Sequence, residues 1–220
     1  MRAIISKLGR RYVTACDVGT HVADIGIITK QIRFATGRSE SDGGAWDSAV
    51  VSACDVFQVM CSNTAHVWGN PSLAAQNRRY RRVDKVGHLL ADLLLDIDDR
   101  VVVTYINSSV LDALCEKHPE VEVSADVFAL VRPELDVYAP CALDGALDVA
   151  TVQPLKAKVV CGAANNQLIV EGAGGTSEAL VISSITYAPD FLVNAGGVIQ
   201  VNDELHGFDF ARTTYHISHG

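Results

Sequence analysis

Two consecutive asparagines and a glutamine, Asn165, Asn166 and Gln167, follow the apolar run 157–161 and a glycine, Gly162. Side-chain amides each bring donors and an acceptor, and such groups sit next to a buried strand only where partners satisfy them. Two further turns of the same kind follow apolar runs. Residues 135–139 lead into Pro140, Cys141, Ala142 and Asp144, and residues 185–188 lead into Pro189 and Asp190. Beyond them Asn194 and the pair Gly196 and Gly197 open a helix, where two glycines cost stability unless something approaches the backbone closely. Any one of these is an ordinary turn on its own. Three on one edge of a sheet point to a surface that holds a polar ligand.

Metal chemistry has less support. None of the six cysteines (Cys16, Cys54, Cys61, Cys115, Cys141, Cys161) forms a C-x-x-C pair, and the seven histidines are scattered. Most of the cysteines lie in apolar stretches, where a thiol packs as a small hydrophobe. His216 and His219 are three apart but have no carboxylate or cysteine beside them, so they read as solvated tail residues.

The elements that position the ligand edge follow from periodicity. Residues 11–18 read as a short strand and turn, residues 21–32 as a helix, and residues 37–46 as a Gly/Ser-rich loop. Val50, Cys54, Phe57, Cys61, Ala65 and Trp68 recur at helical spacing and stop at Gly69, Asn70 and Pro71. Strands are expected at 101–105, 121–123, 135–139, 157–161 and 185–188, with helices after 108 and around Val127, Phe128 and Leu130. Short apolar strands alternating with helices predict an α/β fold, a doubly wound and mostly parallel sheet covered on both faces. Ligands then sit beyond the carboxyl ends of the strands, where the amides cluster.

Composition narrows the classes. Apolar residues make up 49% and charged residues 20%, which excludes wholesale disorder. A net charge of −8 argues against a general nucleic-acid binder. No run reaches the ~18–20 apolar residues of a membrane span. Only Ala3, Ile4 and Ile5 are consecutively apolar before Ser6 and Lys7, too few for a signal-peptide core. A soluble, cytoplasmic chain without nucleic-acid or membrane partners is the expectation.

At residues 12–20, 36–39, 136–142, 157–168 and 187–207 the chain resembles the leucine/valine/phenylalanine dehydrogenases, relatives of glutamate dehydrogenase. The resemblance covers most of residues 11–212 and fades at 74–84 and 169–184. It implies NAD-dependent oxidative deamination of a branched-chain or aromatic L-amino acid to the 2-oxo acid and ammonia, on a Rossmann-like domain with a residual piece of an N-terminal catalytic domain. By that resemblance residues 1–46 are the catalytic remnant and hinge, 47–210 the NAD domain, and 211–220 a tail. Asp17, in the T-A-x-D-V-G-T motif, is the implied proton-transfer residue, since oxidation at the α-carbon requires a free nitrogen lone pair. Ser52 falls where the family has a threonine at the nicotinamide amide. Asn166 matches an asparagine near nicotinamide and substrate. Val83, Lys85, Val86 and Gly87 fall in the dinucleotide fingerprint, Tyr105 at the ribose position, and Cys141 and Ala142 in the coenzyme-side block. Val198 and Val201 match the wall of the side-chain pocket, where apolar volume selects the substrate. Homo-oligomers are a further expectation.

The departures from that family are physical. The fingerprint requires glycines so that a diphosphate can approach a helix N-terminus. Here the segment 82–87 reads Arg, Val, Asp, Lys, Val, Gly, and the expected ribose carboxylate is Tyr105. Arg82 crowds the turn, Asp84 sets an anion against a diphosphate, and Tyr105 removes the ribose acceptor, so coenzyme binding is expected to be impaired. Family members carry glycine where this chain has Asp55, Val59 and Asp144. The family's two active-site lysines lie upstream of the aspartate motif, yet only sixteen residues precede Asp17. Residues 77–84 hold four arginines, whose burial in a central strand would be costly, so no unaided central strand is expected there. A disturbed reading frame, relaxed selection, or a short basic patch for RNA or phosphate would each produce such a run. Two functions therefore stand: an amino-acid dehydrogenase with impaired turnover, or a non-catalytic remnant that associates with full-length subunits or binds a small ligand.

Overall fold

The computed structural model describes residues 2–16, 20–73, 79–80, 85–97, 100–104, 108–142, 144–169 and 175–219. In chain order the elements begin with α1 (Arg2–Leu8), α2 (Val22–Thr29) and α3 (Ala49–Trp68). Then strands and helices alternate: β1 (Arg79–Tyr80), α4 (Lys85–Leu95), β2 (Arg100–Val103), α5 (Ser108–Lys117), β3 (Glu122–Val123) and α6 (Val127–Val131). The alternation continues through β4 (Val137–Tyr138), α7 (Val149–Val152), β5 (Val159–Val160), α8 (Thr176–Ile182) and β6 (Thr186–Tyr187). Three helices end the chain: α9 (Asp190–Val193), α10 (Ala195–Glu204) and α11 (Phe210–His219).

The chain forms two compact units, residues 52–194 and residues 1–51 with 195–220. The join falls inside α3. These bounds differ from those expected at 46/47 and 210/211: residues 195–210 belong to the smaller unit. The expected tail is also corrected, since residues 210–219 are helical. Arg212 explains the gain in order, because its Nε donates to Asp203 Oδ1 at 2.5 Å and so ties α11 to α10.

The larger unit holds two parallel sheets, ordered β1-β2-β3 and β4-β5-β6, and β1 lies beside β4. Val137 pairs with Val159 and Tyr138 with Val160, and Lys158 O and Val160 O accept from Thr186 N and Ala188 N. Strand side chains alternate between faces. Val137 and Val159 accordingly enter one core with Ala53, Val56 and Met60 of α3, Leu90 and Leu94 of α4, and Leu114 of α5. Tyr138 and Val160 enter a second core with Leu130, Leu147, Val152 and Leu180. Fully burying such side chains stabilises by about 1.5–3 kcal/mol each. At β4 and β5 the sheet is therefore apolar on both faces, as expected of strands covered on both sides.

One expectation at the first strand is corrected. Arg79 and Tyr80 do pair in parallel with Arg100 and Val101. A ladder is made by backbone N–H and C=O groups, which arginine carries like any other residue; charge opposes burial of the side chain, not pairing of the chain. Residues 77–78 and 81–84 lie outside the described residues.

In the smaller unit the expected strand at 11–18 is reduced to a single parallel bridge, Thr14 with Ala35. Thr14 N donates to Phe34 O at 3.1 Å and Thr36 N to Thr14 O at 2.9 Å. No described helix is long and apolar enough to cross a membrane.

Candidate functional site

The carboxyl ends of β4, β5 and β6 converge on three turns. Gly162, just beyond β5, sits so close to the β4 turn that an added Cβ would lie 2.2 Å from Pro140 O. Ala164 N donates to that same carbonyl at 2.9 Å, and the two loops lock together. Gln167 has no exposed surface, and its Nε2 donates to Gly162 O at 2.6 Å and Ala164 O at 2.9 Å. It closes the turn from inside, while its Oε1 is buried with no partner among the described residues.

Outside this staple the amides face solvent. Asn194 Nδ2 donates to Asn165 Oδ1 at 2.5 Å and to Ala163 O at 3.3 Å, so the segment after α9 is fastened to the β5 turn. Asn166 is exposed with φ +45°, a left-handed backbone that asparagine tolerates better than most residues, and its Nδ2 donates to Asp144 Oδ2 at 3.4 Å. Asp190 accepts from Gln167 N and from the Tyr187 hydroxyl, both at 3.4 Å. Burial and the neighbouring Asp190 charge push the Tyr187 phenol up to about 12.

Beneath the edge lie thiols and a carboxyl. Cys141 is buried, with Ala163 N donating to its Sγ at 3.5 Å, and Cys161 Sγ donates to Val56 O at 3.9 Å. Burial first, then the charges of Cys141, Asp55 and Cys61, push the Cys161 thiol well up, which keeps it protonated and unreactive. None of the six cysteines is in a disulfide. Asp55, one of the positions where the resemblance expects glycine, is itself buried at 6% exposure.

The structure thus gathers Cys141, Ala142 and Asn166 on one edge of the larger unit. Ser52 is buried one helical turn before Val56, whose carbonyl Cys161 meets. Val86 is half-buried and Gly87 buried in the first turn of α4, which opens at Lys85. Val198 is exposed and Val201 half-buried on α10, in the smaller unit. Asp17, Val83 and Tyr105, with Arg82 and Asp84, lie outside the described residues.

Sequence reasoning missed Glu204. Its side chain has no exposed surface; Oε2 accepts from Gly37 N at 2.8 Å, Ala45 N at 2.9 Å and Arg38 N at 3.3 Å, and Oε1 from Arg38 Nε at 2.8 Å. This carboxylate holds the 37–45 loop to the end of α10. A single glutamate near a helix end carries no sequence signal of such a role. Gln200 of the same helix donates to Ala45 O.

Parallel strands with helices between them, and polar turns at their carboxyl ends, define an α/β protein. The family model described as Glutamate/Leucine/Phenylalanine/Valine dehydrogenase matches residues 84–207. A valine dehydrogenase of Streptomyces virginiae is 52% identical over 209 residues, covering 94% of this chain and 58% of that protein. A leucine dehydrogenase of Thermoactinomyces intermedius is 37% identical over 208 residues, covering 94% of this chain and 56% of that one. The crystal structure of L-tryptophan dehydrogenase from Nostoc punctiforme superposes with a TM-score of 0.78 at 24% identity, covering 98% of this chain and 60% of that one. The chain belongs to the glutamate/leucine/phenylalanine/valine dehydrogenase family, and it spans less than two thirds of the length of these relatives.

Proposed function

We propose that this chain is an amino-acid dehydrogenase module in which the larger unit is a doubly wound, Rossmann-like domain for NAD and turnover by the chain alone is weak. The amide-lined carboxyl edge of β4-β5-β6 carries the reading. Support for the topology comes from the two sheet orders and from β1 lying beside β4, which together read β3-β2-β1-β4-β5-β6 with the switch between β1 and β4. The residues described there fit a dinucleotide in part. The first turn of α4 carries no acidic residue and contains buried Gly87, and Asn165, Asn166 and Asn194 offer amides at the edge.

A bound nicotinamide coenzyme would supply the two-electron oxidation of the substrate's α-carbon. The chain's own residues divide the remaining work. In this reading Ser52 and Asn166 hold and orient the nicotinamide end, Lys85, Val86 and Gly87 face the diphosphate, and Cys141 and Ala142 form the backing of the pocket. Val198 and Val201 select an apolar side chain of valine, leucine or phenylalanine type. Asp17 takes the proton from the amino group, freeing the lone pair needed for loss of hydride from the α-carbon. Arg82, Asp84 and Tyr105 oppose the coenzyme for the reasons of charge and bulk given above, and they are why the turnover is weak. Free thiols fit a reducing compartment such as the cytoplasm, and assembly with further copies belongs to the same reading.

The test uses the purified chain with NADH and, separately, with valine and NAD. Neither enhancement of NADH fluorescence nor valine-dependent reduction of NAD above background is the expected result. Micromolar NADH binding would overturn the reading of Arg82, Asp84 and Tyr105.

A further inference from the structure

The smaller unit contains a cavity of about 600 Å³ that the dehydrogenase reading does not use. That size lies inside the range of small-molecule sites, about 300–1,000 Å³. Val13, Phe34, Ala35 and Leu205 give it apolar walls, and Arg33, Arg38, Glu204 and His206 bring charge or polarity.

The balance of that charge decides what fits. Glu204 is the one carboxylate of the lining, and both of its oxygens are occupied by three backbone N–H groups and the Arg38 guanidinium. Arg38 is likewise committed, to Glu204 and to Asp42 O at 3.3 Å. Arg33 differs. Its guanidinium lies 4.9 Å from the centroid of the Phe34 ring and meets no carboxylate among the described residues. Stacking holds the group in place while leaving its N–H edge available. His206 Nδ1 donates to Asn202 O at 3.2 Å, which leaves Nε2 unengaged among the described residues. The cavity therefore combines apolar walls with a surplus positive charge.

The geometry points to a binding site for a small organic carboxylate, an anionic head held by Arg33 with an apolar body against Phe34, Val13 and Leu205. Nothing in the site favours a bare inorganic anion, because the walls would then stay wet and apolar. A neutral apolar molecule would leave the guanidinium unused.

Naphthoate and its neutral isostere naphthylmethanol separate these cases. Titration of the full chain, followed by amide shifts at Val13, Ala35 and Leu205 and by calorimetry, should show saturable naphthoate binding at those residues. The alcohol should bind about tenfold more weakly, since a hydrogen bond to a charged group is worth about that factor. Arg33→Gln should weaken naphthoate by a similar factor and leave the alcohol unchanged, and Arg33→Lys should recover part of the loss. Arg33 is exposed, so circular dichroism of these variants should match the parent. As an independent check, Leu205→Glu should abolish naphthoate binding by placing an anion in the apolar wall. Lack of saturation at millimolar naphthoate, equal affinity for the alcohol, or an unchanged affinity in Arg33→Gln would each overturn the proposal.

Discussion

Gly162 and Tyr187 show how single groups at the strand ends fix the edge on which a ligand would rest. At Gly162 the constraint is space. A Cβ 2.2 Å from a backbone oxygen cannot be relieved by turning a side chain, so the β4 and β5 turns must part. Gly162→Ala should lower unfolding free energy in urea by about 3 kcal/mol, the upper end for overpacking, and should disturb the Gln167 hydrogen bonds. At Tyr187 the constraint is electrostatic. Burial and Asp190 raise the folded phenol from 10.0 to about 12, whereas the unfolded phenol ionises near the lower value. Between those values the unfolded chain loses a proton that the folded chain keeps, so stability must fall as pH rises through that window. In Tyr187→Phe the slope of stability against pH should flatten there, and the phenol titrating highest should vanish from the ultraviolet titration. An unchanged slope would mean that the hydroxyl is hydrated in the folded protein.

At the scale of elements, the short helices depend on caps as much as on burial. The four residues of α7 (Val149–Val152) are too few to hold a helix by propagation alone. Asp148 Oδ1 accepts from Thr151 N at 2.7 Å, and hydrogen bonds from Thr151 hold its carboxyl below the usual range. Asp148→Ala should cost about 1 kcal/mol near neutral pH. The sign with pH is opposite to that of Tyr187. A lowered folded pKa stabilises above the ordinary carboxylate range and ceases to do so as acid protonates the group, so thermal melts of variant and parent should converge on acidification. The strands, rather than such caps, were legible in the sequence. The runs at 135–139, 157–161 and 185–188 are mostly apolar, broken only by Asp136, Lys158 and Thr186. That length and composition fit short strands of a covered sheet, and β4, β5 and β6 fall within them. The positions of Asn166 and Cys141 at the strand ends followed. In contrast, α11 does repeat at helical spacing, through Phe210, Thr213 and Ile217, but what anchors it is tertiary: Arg212 meets Asp203 nine positions earlier and Phe210 stacks on Trp46. The Glu204 clamp was illegible for the same reason: its partners, the backbone N–H groups of Gly37, Arg38 and Ala45 and the Arg38 guanidinium, lie more than 150 residues away.

For the molecule as a whole, the question is whether the proposed coenzyme fold has lost only its contact groups or its architecture as well. Architecture argues for the first. The strands run parallel, both cores are filled with buried aliphatic side chains, and Arg79 and Tyr80 pair with β2 despite the arginines around them. On the proposed reading, the impairment of coenzyme binding should then be local and reversible. Replacing Arg82→Gly, Asp84→Gly and Tyr105→Asp together would return two glycines to the fingerprint and a carboxylate to the ribose position. The triple variant should bind NADH measurably by fluorescence where the parent does not, and restoring Tyr105→Asp alone should not suffice, because the diphosphate would still meet Arg82 and Asp84. Valine-dependent turnover need not follow, since the proposed reading gives the proton transfer to Asp17 rather than to the fingerprint. If the triple variant folds with native-like circular dichroism and still ignores NADH, the defect lies in the sheet itself. The doubly wound reading of the larger unit would then have to be abandoned along with the coenzyme.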